Sequence, residues 1–229
     1  MSALWQPSPN FGPRRDGARP DIIVLHYTAM PSAQSALTRL CLAEAEVSAH
    51  YLIGRCGTVW QLVQEDQRAW HAGVGAWGDV RDVNSRSIGI EIDNDGYSPF
   101  SHRAMVALEG LLPGILQRWA IPPERVIGHQ DMAPGRKIDP GRRFDWRRLA
   151  RGGLSIWPQV PPPVPPAQTV PPFQQSAEAF GYRGAEEDVL AAFRARFRPG
   201  ATGPENAEDR RVMAALAARY PVDPGGAGA

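Results

Sequence analysis

The stretch from Pro158 to Pro172, PQVPPPVPPAQTVPP, holds eight prolines in fifteen residues. Proline fixes φ and lacks a backbone N–H, so this segment forms neither a helix nor a central strand. It divides the 229 residues into a long first part and a short second part. A linker over 159–173 is the leading reading. As polyproline II, at about 3.1 Å per residue, it would reach about 45 Å. A surface wrap, or a ligand for an aromatic groove, is the alternative.

Before the prolines, short apolar runs alternate with helical patterns. DIIVLHY (21–27) reads as a buried strand, and Pro31 to Glu46 as a helix with proline in its first turn. AHYLIG (49–54) and TVWQLV (58–63) flank Arg55-Cys56-Gly57 and predict a hairpin. SIGIEI (87–92) and RVIGH (125–129) are two further strands. His102 to Trp119 has apolar residues at helical spacing, which Pro113 and Gly114 are expected to kink or interrupt. This order predicts an α/β fold, a central mixed sheet flanked by helices, over residues 1–158. After the prolines, Val189, Leu190, Phe193 and Phe197 share one helical face, and Val212, Leu216 and Tyr220 another. A small all-α unit over 174–222 follows. Too short to bury much surface alone, it docks on the first part or packs as a minimal three-helix unit. Residues 223–229 are expected to be disordered.

Charge narrows the partners. Lysine and arginine number 25 and aspartate and glutamate 24, a net charge of +1. That balance argues against nucleic acid or an anionic membrane as the main partner. Seven basic residues do cluster between Arg136 and Arg151, read as a solvated helix face plus one functional lysine. No run approaches the ~20 apolar residues of a membrane span. The first twenty residues lack the basic start and apolar stretch of a secretory signal. Cys41 and Cys56 are too few for a disulfide framework and read as free thiols, which makes the cytoplasm the expected compartment.

Of five histidines, His26 and His129 each end an apolar strand, and α/β sites form at the carboxyl ends of strands. Asp139 follows His129 by ten residues, across a loop of prolines and glycines that could fold it back. Two histidines and a carboxylate with an open fourth position form a known catalytic zinc arrangement. Structural or solvated histidines are the alternative. Lys137 stands two residues before Asp139, on the same side of an extended segment, where it could hold a developing oxyanion. Glu91 interrupts an apolar strand and is costly there unless paired or functional. It reads as a tuned base, or as a glutamate on a solvated sheet face or paired with an arginine such as Arg86.

IIVLHYTA (22–29), VSAHYLIGRCGTVWQLV (47–63), RAWHAG (68–73), NSRSIGIEI (84–92) and GHQDMAPGRKIDPG (128–141) together resemble the zinc-dependent N-acetylmuramoyl-L-alanine amidases. These are the amidases akin to anhydro-muropeptide amidases, T7-type lysozyme and the peptidoglycan recognition proteins. GLSIWP (153–158) and FGYRG…FRARFRP (180–199) are similar to the subgroup with a small helical peptidoglycan-binding-like domain. The resemblance implies one Zn2+ on His26, His129 and Asp139, with Glu91 as catalytic acid and Lys137 steadying the transition state. His71 would be a cleft histidine, and Tyr27, Trp70, Trp77 and Asn84 groove residues, with core packing the alternative for each. His50 would have a packing role, and His102 would lie at the surface near a helix start. The implied reaction cuts the lactyl–L-alanine amide of peptidoglycan, in murein or in 1,6-anhydro-muropeptides. A recognition module that only binds typically lacks a zinc ligand, and all three positions are intact here. The tail fits an exported wall amidase, the N-terminus a cytoplasmic recycling enzyme or a phage endolysin.

Overall fold

The alternating runs assemble into a six-stranded mixed sheet in the computed structural model, which describes residues 3–159 and 170–222. Most of the proline-rich segment and the 223–229 tail therefore lie outside the described residues. In chain order the elements are β1 (Leu4–Trp5), β2 (Phe11–Pro13), β3 (Ile22–Tyr27), α1 (Ala33–Leu40), β4 (Tyr51–Ile53), β5 (Val59–Gln61), β6 (Gln67–Ala69), α2 (Val83–Arg86) and β7 (Ser87–Ile92). They continue with α3 (His102–Trp119), β8 (Val126–Gly128), α4 (His129–Met132), α5 (Trp146–Arg151), α6 (Phe173–Phe180), α7 (Glu186–Phe197) and α8 (Ala207–Arg219). The sheet order is β1-β5-β4-β7-β3-β8, and β2 pairs with β6 in a separate antiparallel ribbon. Only the expected β4–β5 hairpin is antiparallel in the main sheet.

Period-two alternation splits β3 and β7 between the two faces. Ile23, Leu25, Ile88, Ile90 and Ile92 join Met105, Leu108, Leu112 and Ile115 of α3 in one core. Ile22, Val24 and Ile127 face the other way, into a core shared with Phe173, Phe180, Phe193, Phe197 and Leu216 of the last three helices. The C-terminal helices thus pack against the sheet as well as against each other. Among the described residues, no helix is long and apolar enough to cross a membrane.

Two helices differ from expectation. The segment from Pro31 is α-helical over Ala33–Leu40, its start capped by Ser32, which accepts a hydrogen bond from the Ser35 amide, and forms a 3-10 turn over Ala43–Ala45. Helix α3 runs through Pro113 to Trp119. Pro113 lies on the exposed face, where water can satisfy the carbonyl it leaves unpaired, while its neighbours Leu112 and Ile115 are fully buried. His102 sits exposed at the start of this helix.

The back of the sheet is fastened by Glu65, which accepts hydrogen bonds from the Tyr51 hydroxyl, the Arg118 guanidinium and the Trp119 indole. Burial alone would raise its carboxyl pKa; these donors outweigh burial and lower it. A lowered carboxyl pKa stabilises the fold above the unfolded value and loses that contribution as pH falls through the folded one. Glu65→Gln should cost about 2 kcal/mol at pH 7. The difference from wild type, measured by denaturant unfolding, should shrink below about pH 4.

Candidate active site

The carboxyl ends of β3, β7 and β8 meet at one place, as parallel strands require. His26 is the fifth residue of β3 and lies beside Glu91 of β7 in the parallel register. His129 opens α4 immediately after β8. Asp139 returns to it through the backbone: its carbonyl accepts the Gln130 amide at 2.8 Å. Gly128 permits this return, since a Cβ there would stand 2.7 Å from Pro140 Cδ.

The three side chains form a tight triangle. His26 Nδ1 and His129 Nδ1 are 3.0 Å apart, and Asp139 Oδ2 is 3.0 and 3.1 Å from them. All three residues are buried. Their hydrogen-bond partners determine which nitrogens carry protons. The Ser87 hydroxyl donates to the Val83 carbonyl at 2.5 Å, so its oxygen accepts from His71 Nε2–H at 3.1 Å. His71 Nδ1 then accepts from His26 Nε2–H at 3.0 Å. His129 Nε2–H donates to the Ala72 carbonyl at 2.8 Å. Burial, followed by the neighbouring His129, lowers the His26 pKa to about 4, so its ring is neutral at pH 7.

With the ring protons on Nε2, as these bonds favour, three lone-pair atoms converge at about van der Waals distance. That arrangement repels itself and suits a cation. Two imidazole nitrogens and one carboxylate oxygen match the donor preference of zinc, whose bonds of about 2.0–2.2 Å span such a triangle. Among the described residues this is the cluster whose ligand atoms all lie within 4.8 Å of one another.

Glu91 lines the same cavity. Its Oε2 is buried with no hydrogen-bond partner. Burial first, and the Asp139 charge second, push its carboxyl pKa well up, while Lys137 pulls it down. The Arg86 guanidinium, the alternative partner, engages Asp21. Lys137 also lines the cavity, together with Tyr27, Trp70 and His71. This space of about 440 Å³ is further bordered by Arg39 and Arg136.

Two expected groove residues lie elsewhere. Trp77 is 2% exposed and packs edge-on against Phe180 and Tyr182, so it belongs to the core. Asn84 is buried, and its Oδ1 accepts the amides of His71 and Ala72, shaping the loop. His50 is a buried spacer, accepting the Gly89 amide at Nδ1 and donating to the Gln67 carbonyl. Ser87 and Gly89 carry no role in the sequence reading, and Arg136 enters it only as part of the basic cluster. The first two share the period-two face of Glu91 in SIGIEI. A Cβ on Gly89 would lie 2.4 Å from His71, so the glycine makes room for that ring. Arg136 donates to the Ala72 carbonyl at 2.7 Å and adjoins Lys137.

A buried triangle of two histidines and one carboxylate, beside an orphaned glutamate oxygen, could hold a metal ion. The family model described as N-acetylmuramoyl-L-alanine amidase matches residues 16–142, and the chain belongs to that enzyme family. It is 34% identical to the N-acetylmuramoyl-L-alanine amidase AmiD of Escherichia coli, over 88% of this chain and 84% of that protein. The 1,6-anhydro-N-acetylmuramyl-L-alanine amidase AmpD of Haemophilus influenzae is 33% identical over 62% of this chain and 86% of that one. The structure of E. coli AmiD with anhydro-N-acetylmuramic acid-L-Ala-D-γ-Glu-L-Lys superposes with a TM-score of 0.79 and 32% identity, covering 94% of this chain and 93% of that one.

Proposed function

We propose that the protein hydrolyses the amide between the lactyl group of N-acetylmuramic acid, or its 1,6-anhydro form, and the L-alanine of the stem peptide. The observation that carries this is the tight triangle of His26, His129 and Asp139 beside the orphaned carboxylate oxygen of Glu91. AmiD and AmpD carry this activity in their names, and AmiD has been seen with an anhydro-muropeptide substrate.

His26, His129 and Asp139 would hold one Zn2+. When bound, zinc supplies Lewis-acid polarisation of the scissile carbonyl and makes water more acidic. The chain supplies the remaining chemistry. Glu91, its carboxyl pKa raised by burial, takes the proton of the attacking water and returns it to the leaving alanine nitrogen. The Lys137 ammonium holds the negative charge that develops on the carbonyl oxygen. Tyr27, Trp70 and His71 border the space in which the substrate lies. The division into a catalytic part, 1–158, and a helical part, 174–222, belongs to the same proposal. So does a cytoplasmic role in cell-wall recycling, which the two free thiols Cys41 and Cys56 support.

Metal removal tests the reading. EDTA followed by desalting should abolish release of stem peptide, and one equivalent of zinc should restore it. Full activity of protein shown by elemental analysis to be metal-free would refute it.

A further inference from the structure

Helix α4 is only four residues long, yet it begins with His129. Its third residue, Asp131, is fully buried and faces three donors from two parts of the chain. The Gly128 amide donates to Asp131 Oδ2 at 2.7 Å, which closes the corner between β8 and α4. Arg196 of α7 donates to the same oxygen at 3.0 Å. The Tyr182 hydroxyl, between α6 and α7, donates to Oδ1 at 2.9 Å. Arg196 also donates to the Val126 carbonyl at 2.8 Å, so one guanidinium grips both ends of β8. Its plane is sandwiched at 4.6 Å from the Trp146 ring and 4.7 Å from Phe197. The helical unit reaches the neighbouring loop as well. The Gly78 amide donates to the Gly181 carbonyl, and Trp77 packs on Tyr182. That loop begins at Ala72, whose carbonyl orients His129.

We infer that the C-terminal helical unit is a working part of the metal site, with Arg196 and Tyr182 as positioning residues that hold the β8–α4 corner, and hence His129, in ligand geometry. The inference rests on the zinc reading above. A helical unit serving only to bind cell-wall polymer would have no need of a fully buried charge aimed at the ligand-bearing turn. Partners one shell beyond a metal ligand typically change metal affinity about 10- to 100-fold.

The test uses the full-length protein and zinc affinity measured by chelator competition. Arg196→Met and Tyr182→Phe, which act through Asp131 rather than on a ligand itself, should each weaken zinc binding about 3- to 10-fold, below the range for direct partners of a ligand. Arg194→Met is the control. Arg194 is also buried in α7, but its hydrogen bonds go to Asp209 of α8 and to the Gly203 and Pro204 carbonyls. It should lower the melting temperature and leave zinc affinity unchanged. Wild-type affinity in both Arg196→Met and Tyr182→Phe, or equal weakening in Arg194→Met, would overturn the inference. If Arg196→Met does not fold, Tyr182→Phe against Arg194→Met decides it. Failure of the wild type to bind one zinc would instead refute the zinc reading itself.

Discussion

His129→Ala should lose at least about 1,000-fold in kcat/KM and bind zinc too weakly to survive desalting. Lewis-acid stabilisation of a transition state is worth several kcal/mol, and each 1.36 kcal/mol is tenfold in rate. The variant should nevertheless fold. The hydrogen bonds that close its turn run through Asp131, and the Ala72 carbonyl that the imidazole bonds is also held by Arg136. Circular dichroism with elemental analysis separates the two effects. Retained zinc with lost activity would point away from His129 as a ligand.

Glu91→Gln should lower kcat about 100- to 10,000-fold, the usual range for removing a general acid–base group, with one zinc still bound. The amide is nearly isosteric, and Glu91 Oε2 has no hydrogen-bond partner to lose. Removing a buried carboxyl with no partner and a raised pKa should leave stability unchanged or slightly higher. Loss of activity without loss of stability distinguishes a tuned catalytic group from a structural one. Near-wild-type turnover would sink the assignment.

Much of this site was legible because parallel strands deliver their last residues to one edge. His26 and His129 each follow a short apolar run, and Glu91 stands out in SIGIEI because carboxylates do not belong in apolar strands without a reason. The loop return of Asp139 was suggested by its prolines and glycines. The space that Gly128 leaves for Pro140 is a tertiary fact with no local signature. The same holds for Gly89 under His71: glycine in a strand reads as a weakness until the ring it admits is known. For Trp77 a groove role and core packing both stayed open in the sequence, because its cover, Phe180 and Tyr182, lies about a hundred residues away. The helical unit was readable as helices. Its shared core with the sheet was not, since an apolar helix face does not name its partner.

The identity of the bond cut is the most direct test. The protein should be incubated with a defined 1,6-anhydro-muropeptide and with intact murein, each with zinc-loaded and with EDTA-stripped enzyme, and the products weighed by mass spectrometry. The account predicts free stem peptide bearing an N-terminal L-alanine, released from at least one substrate by the zinc-loaded enzyme alone. Intact substrate in every reaction, or cleavage at a glycosidic or an inter-residue peptide bond instead, would contradict it.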